Sequence, residues 1–210
     1  MSTRSALETQ LAVVAGFDDP SAALEQYPTP PGLAASVVHD ADLRGDVEGA
    51  TVVDLGAGTG MLALGAALRA PTRVVGVELD PAALATARDN RRRVGVDAAV
   101  GWVRADVTRL PVVGDGDRQT TVLTNPPFGA QRDAVHADRE FLAAAGAVAD
   151  VSYSVHRAGS REFVASFAAD HGGRLTASYA ATIDLDRQFA FHEADSEAVD
   201  VEVHRVAWDA

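Results

Sequence analysis

The sequence predicts an α/β fold in which helices cover both faces of a mostly parallel sheet. Three observations predict it. From residue 51 onward, short apolar runs alternate with helical stretches, the pattern of repeated strand–helix–strand units. The turn Gly56-Ala57-Gly58-Thr59-Gly60 joins the first apolar run to the first following helix, and alternating glycines allow a tight, closely approachable backbone there. The last two apolar runs are long and separated by a polar segment, which reads as an antiparallel pair closing the sheet.

The elements follow in order. Ser5–Ala15 has apolar residues at helical spacing and predicts a first helix. Tyr27-Pro28-Thr29-Pro30-Pro31 is not helical before Pro31, because a residue preceding proline avoids the αR region. A second helix is expected over Leu33–Leu43. Thr51–Leu55 is a buried strand, Met61–Arg69 a helix, Arg73–Glu78 a strand, and Pro81–Val94 a helix with proline in its first turn. Strands are expected at Ala98–Val103 and Thr120–Thr124, a helix at Arg139–Ala149, a strand at Val151–Val155 and a helix at Ser160–His171. The closing strands are expected at Arg174–Ile183 and Val199–Ala207.

The chain has 210 residues, room for one ordinary α/β domain over residues 1–210. In it, residues 1–48 read as a helical leading segment and 49–210 as the core. There is no cysteine, which excludes disulfides, a cysteine nucleophile and cysteine-bound metal. The six histidines show no metal-ligand spacing, so no metal site is expected. No uncharged stretch exceeds the 14 residues of Leu55–Leu68, too short to span a membrane. Met1–Gln10 lacks the apolar core of a signal peptide, so a soluble cytoplasmic protein is expected. All 18 basic residues are arginine, Asp (21) outnumbers Glu (9), and the net charge is −12. This composition suggests a salt-filled cytoplasm. In molar salt the Debye length is about 3 Å, so an acidic surface repels nucleic acid far less than in dilute buffer.

Ligands of such sheets bind beyond the carboxyl ends of the strands, and the unusual residues sit there. Asp54 precedes the glycine turn made by Gly56, Gly58 and Gly60. The spacing G-x-G-x-G is neither the dinucleotide fingerprint nor a P-loop, which needs lysine. Glu78 ends the second strand, where an acid can accept ribose hydroxyls. Asp106 and Val107 follow the third strand, within reach of an adenine. Together they read as a nucleoside site without phosphate-binding chemistry, which S-adenosylmethionine fits. The fourth strand runs into Asn125-Pro126-Pro127-Phe128. Proline ends the strand, the Asn125 side-chain oxygen and the Pro126 carbonyl can accept from one NH2 group, and Phe128 can stack on the group that carries it. This suits methyl transfer to a conjugated nitrogen by positioning and electrostatics, without a general base.

These residues resemble the Rossmann-like class I S-adenosylmethionine-dependent methyltransferases. Asn125 to Phe128 are similar to the amino-methyltransferase motif of adenine-N6 and protein-glutamine enzymes. Glu25-Gln26-Tyr27-Pro28-Thr29, Val151-Ser152-Tyr153-Ser154-Val155-His156-Arg157, Phe191-His192 and Val199–Val203 narrow the likeness to the small-subunit ribosomal RNA adenine-N6 methyltransferases typified by methyltransferase-like protein 5 and its archaeal relatives. The likeness spans residues 5–208. It implies a seven-stranded sheet with an antiparallel last strand, a ribosomal RNA substrate, closure of the cofactor site by Gln26 and Thr29, and capture of the target adenine by Asn125 to Phe128. It also implies a small Trm112-type zinc-binding activator, for which the apolar edge Ala98–Val103 is the expected seat. Two other readings stand beside it. One is protein-glutamine N5 methylation, because an amide NH2 fits the same acceptors. The other is a non-catalytic ribosome-assembly binding protein that keeps the fold.

Overall fold

The computed structural model describes residues 3–111, 116, 118–127, 137–186 and 196–209. Its strands are Thr51–Leu55 (β1), Arg73–Glu78 (β2), Val100–Arg104 (β3), Thr120–Thr124 (β4), Val151–Arg157 (β5), Gly173–Asp186 (β6) and Ser196–Trp208 (β7). They form one sheet in the order β3-β2-β1-β4-β5-β7-β6. The pairs among β1 to β5 are parallel, and β7 runs antiparallel to both β5 and β6. The predicted fold class, seven mostly parallel strands with an antiparallel last strand, is therefore what forms.

The helices are Arg4–Leu11 (α1), Pro31–Leu43 (α2), Met61–Ala67 (α3), Pro81–Val94 (α4), Ala137–Val148 (α5) and Arg161–Asp170 (α6). Leu7, Leu11, Val37, Val38 and Leu64 of α1 to α3 share a core with Val52, Val74 and Leu123 of one sheet face. Phe141, Ala144 and Ala145 of α5 pack on Val53, Leu55, Val77 and Val122 of the other. Val164 and Phe167 of α6 close that second face over Val206 and Trp208. Alternate residues of a strand point to opposite faces. That is why adjacent Val52 and Val53 enter different cores, and why β1 and β4, buried along their whole length, show no strict alternation of apolar and polar residues.

Several predicted boundaries move. The first helix ends at Leu11 instead of Ala15; the backbone of Ala15 is instead held by the Asn90 side chain of α4 at 2.9 Å through both its N–H and its carbonyl. The second begins two residues early, because Pro31 occupies its first turn with φ already set for a helix. β5 extends to Arg157, since its pairing with β7 continues to Val201. β3 starts at Val100, not Ala98, and it is the edge strand expected. Its apolar side chains are less available than the sequence suggested. Val100 is buried, and the Trp102 ring lies against Gly76 of β2 and reaches Gly60 of the glycine turn.

Candidate active site

The glycine turn leaves β1 with φ of +69°, +54° and +91° at Gly56, Gly58 and Gly60. A residue with Cβ would be strained by about 1–2 kcal/mol at each. Each glycine also lacks room for a side chain. A Cβ would meet the Phe141 ring at 2.8 Å from Gly56, the Phe17 ring at 3.0 Å from Gly58 and the Trp102 ring at 2.7 Å from Gly60. The turn is thus packed from three directions by aromatic residues far apart in sequence.

Above it lies a cavity of about 430 Å³, large enough for a nucleoside, at the carboxyl ends of β1 to β4. Of the residues singled out by sequence, Gln26, Thr29, Gly56, Gly58, Glu78, Asp106, Val107, Asn125 and Pro127 line it. Asp54, Gly60 and Pro126 do not. Gly60 packs toward Trp102 and Pro126 is buried. Phe128, Phe191 and His192 lie outside the described residues. Phe17, Leu79, Glu140 and Phe141 line the cavity as well. No motif announces these four: Leu79 simply follows Glu78, and Phe17, Glu140 and Phe141 come from segments far from the turn in sequence.

Glu78 fastens the site. Its Oε2 accepts the Gly58 N–H at 2.8 Å, and its Oε1 accepts the N–H groups of Leu79 and Asp80 at 2.7 and 2.9 Å. A carboxylate has about four acceptor positions, so its free capacity for a hydroxyl remains chiefly on Oε2. Asp106 Oδ1 accepts from Thr108 N–H and Oγ1 at 2.9 and 2.8 Å, which holds the carboxyl below its usual range and ionised at neutral pH. Gln26, buried, accepts the Ser21 N–H at 2.8 Å and donates to Asp80 at 2.8 Å. It ties the leading segment to the start of α4, and the bond keeps Asp80 below the ordinary carboxylate range.

Asn125 is the most informative residue. Its Nδ2 donates to Thr29 Oγ1 at 3.0 Å, while its Oδ1 is buried with no hydrogen-bond partner among the described residues. Leaving a buried acceptor unpaired costs about 1–3 kcal/mol. Such a group at a cavity wall is an acceptor waiting for a donor. The wall also carries Glu25, Glu78, Asp106 and Glu140 and, among the described residues, neither arginine nor histidine. That set of carboxylates repels phosphate and suits a cationic ligand.

Asp54 sits beneath the turn, 1 % exposed. Its Oδ2 accepts the Ala63 N–H of α3 at 2.8 Å and its Oδ1 has no partner among the described residues. Burial pushes its carboxyl up to about 7; the Ala63 bond works against this and the Glu78 charge adds to it. The folded chain therefore keeps a proton that the unfolded chain releases above about pH 4. The stability this group contributes is present below that value and is lost as pH rises toward 7. Asp54→Asn mimics the protonated form. Its melting temperature relative to the unmodified chain is expected to rise between about pH 4 and pH 7 and to level off above that. A difference that stays constant with pH in thermal melts would contradict this.

His156, 4 % exposed, bonds Ser154 Oγ at 2.9 Å. Burial, with the neighbouring His204, pushes it down to about 3, so it is neutral. It and exposed Arg157 lie outside the cavity lining. Among the described residues no cluster of histidines and carboxylates could hold a metal ion.

A sheet in this order, with a nucleoside-sized, acid-lined cavity over a glycine turn, defines a Rossmann-like methyltransferase. The methyltransferase small domain model matches residues 39–151, and the chain belongs to that family. It is 36 % identical to the rRNA N(6)-adenosine-methyltransferase Mettl5 of Drosophila melanogaster, over 95 % of this chain and 93 % of that protein. It is 32 % identical to protein MJ0284 of Methanocaldococcus jannaschii, over 98 % and 94 % of the two chains. The crystal structure of PH1948 from Pyrococcus horikoshii, a candidate RNA methyltransferase, matches the whole chain with a TM-score of 0.89 and 34 % identity.

Proposed function

We propose that the chain transfers a methyl group from S-adenosylmethionine to the N6 amino group of an adenine in small-subunit ribosomal RNA. The observation that carries this reading is the unpartnered Oδ1 of Asn125, with its amide turned by Thr29. The substrate class is supported by the full-length likeness to Mettl5 proteins named for that reaction.

The cavity fits the cofactor. Its acidic wall suits a sulfonium and an ammonium group, Glu78 Oε2 takes a ribose hydroxyl, and Asp106 with Val107 receives the adenine. When bound, the cofactor supplies an electrophilic methyl group. The chain's work is to hold the nucleophile. An adenine N6 lone pair is delocalised into the ring. An acceptor gripping one of its hydrogens favours a more tetrahedral nitrogen and orients the lone pair toward the methyl. A nitrogen–carbon bond forms, the sulfur–carbon bond breaks, and the amino group gives up one proton to solvent. Asn125 Oδ1 is the acceptor at the cavity wall and Pro127 lines the wall beside it, with the Pro126 carbonyl proposed as second acceptor and Phe128, outside the described residues, as the ring that stacks on the adenine. Gln26 and Thr29 close the site from residues 1–48, and Asp54, Gly56, Gly58 and Gly60 shape the turn beneath on a core of 49–210.

No helix among the described residues is long and apolar enough to cross a membrane. The lysine-free, Asp-rich composition supports a salt-filled cytoplasm, as in a halophilic archaeon. Edge strand β3 supports pairing with a Trm112-type activator. Arg91 already donates to the carbonyls of Ala98 and Val100 at 3.3 Å, so pairing there has to displace or share that guanidinium.

Purified protein in molar salt, given labelled S-adenosylmethionine and either small-subunit ribosomal RNA or a glutamine-bearing translation-factor peptide, is expected to label the RNA, and digestion to yield N6-methyladenosine. Label in the peptide alone would favour glutamine methylation. Label in neither, with cofactor bound, would favour an assembly role.

A further inference from the structure

A fully buried polar residue of α4, Asn90, belongs to none of the sequence motifs. Asn90, in the third turn of α4, is 0 % exposed, yet its side chain makes three bonds of 2.9 Å to two distant segments. Its Oδ1 accepts the Ala15 N–H, and its Nδ2 donates to the carbonyls of both Ala15 and Thr59. Arg93 Nη1 adds a longer contact of 3.3 Å to the same Oδ1. Ala15 lies two residues before Phe17, and Thr59 lies inside the glycine turn. One amide therefore joins the leading segment to the turn.

The consequence is visible at Gly58. The Phe17 ring closes over it, so near that a Cβ there would meet the ring at 3.0 Å, and both residues line the cavity. The backbone N–H of Gly58 is in turn the one that Glu78 accepts. The leading segment is tied twice more, by Gln26 to Asp80 and by Thr29 to Asn125, and the Asn90 amide bonds the turn itself through the Thr59 carbonyl. A merely structural asparagine would satisfy one break in regular structure. Asn90 satisfies groups 44 residues apart in sequence, one in the leading segment and one in the glycine turn.

We infer that Asn90 is a positioning residue: it sets cofactor affinity by holding Phe17 and the glycine turn against each other, without touching the cofactor. The inference rests on the reading that this cavity takes S-adenosylmethionine. A uniquely oriented, fully satisfied buried amide is suited to such a role, because any rotation would orphan a buried donor or acceptor.

Calorimetric titration of the purified chain with S-adenosylhomocysteine comes first. If the unmodified chain binds none, the cofactor reading fails and takes this inference with it. Asn90→Asp keeps the volume and the acceptor for Ala15 but loses both donor bonds. Phe17→Ala, at a half-buried position, tests the same contact without opening the core. Each is expected to raise Kd about tenfold, the scale of one net buried hydrogen bond or ring contact. The cofactor KM should rise with kcat little changed. In the double variant the two effects should be less than additive. Folded variants of both kinds that bind like the unmodified chain, or a fully additive pair, would overturn the role assigned to Asn90 while leaving the cofactor reading intact.

Discussion

Asn125→Ala should lower kcat about 10²–10³-fold, the scale of removing one preorganised polar contact to a reacting group, with cofactor affinity changed only a few-fold. The asymmetry follows from the geometry. The Asn125 Nδ2 is committed to Thr29 at 3.0 Å and its Oδ1 has no partner among the described residues, so the residue meets its missing donor only when substrate arrives. The cofactor's other contacts, on Glu78, Asp106 and the glycine turn, remain. Single-turnover kinetics with saturating cofactor, beside a binding titration, separate the two quantities. A variant that keeps near-full turnover would move the acceptor role elsewhere. A variant with equal losses in kcat and cofactor affinity would make Asn125 part of the cofactor's wall.

Glu78→Gln should do the reverse, weakening cofactor binding by about 10- to 100-fold, as expected for losing a charge-assisted bond of about 1.5–3 kcal/mol. Three backbone N–H groups converge on the two oxygens of Glu78. An amide has a single oxygen, so its NH2 must face either Gly58 or the Leu79–Asp80 backbone, donor against donor. The loop after β2 and the glycine turn then lose their common anchor, and the ribose acceptor loses its charge. Cofactor titration by calorimetry checks this, and an unchanged Kd would mean that the carboxylate serves only its own loop.

Much of this was legible in the sequence because it is local. The runs Thr51–Leu55, Arg73–Glu78 and Thr120–Thr124 carry their strand character in five or six consecutive residues. The glycine turn, Glu78 and Asn125 stand at strand ends by spacing alone. What was not legible is depth and long-range contact. Asp54 reads like a ligand-facing acid, but the turn folds over it and its carboxylate caps α3. Phe17 and Phe141 reach the turn from 41 and 85 residues away, measured to Gly58 and Gly56, and no local pattern encodes that. Ala15, beyond the end of α1, is held by Asn90, 75 residues further on. Helix propensity alone, which would have carried the element to Ala15, is overridden by tertiary bonding. Trp102 looks like an exposed edge residue by alternation, yet its ring fills the space that Gly60 and Gly76 leave empty.

The proposed role of the Asn125 acceptor is to hold an adenine amino group of ribosomal RNA. Nucleoside mass spectrometry of small-subunit ribosomal RNA, from a strain lacking this chain and from the same strain carrying the unmodified chain or Asn125→Ala, tests it most directly. N6-methyladenosine is expected to be missing from the small subunit in the deletion strain, to return with the unmodified chain and to stay missing with Asn125→Ala. An unchanged N6-methyladenosine level in the deletion strain would contradict it.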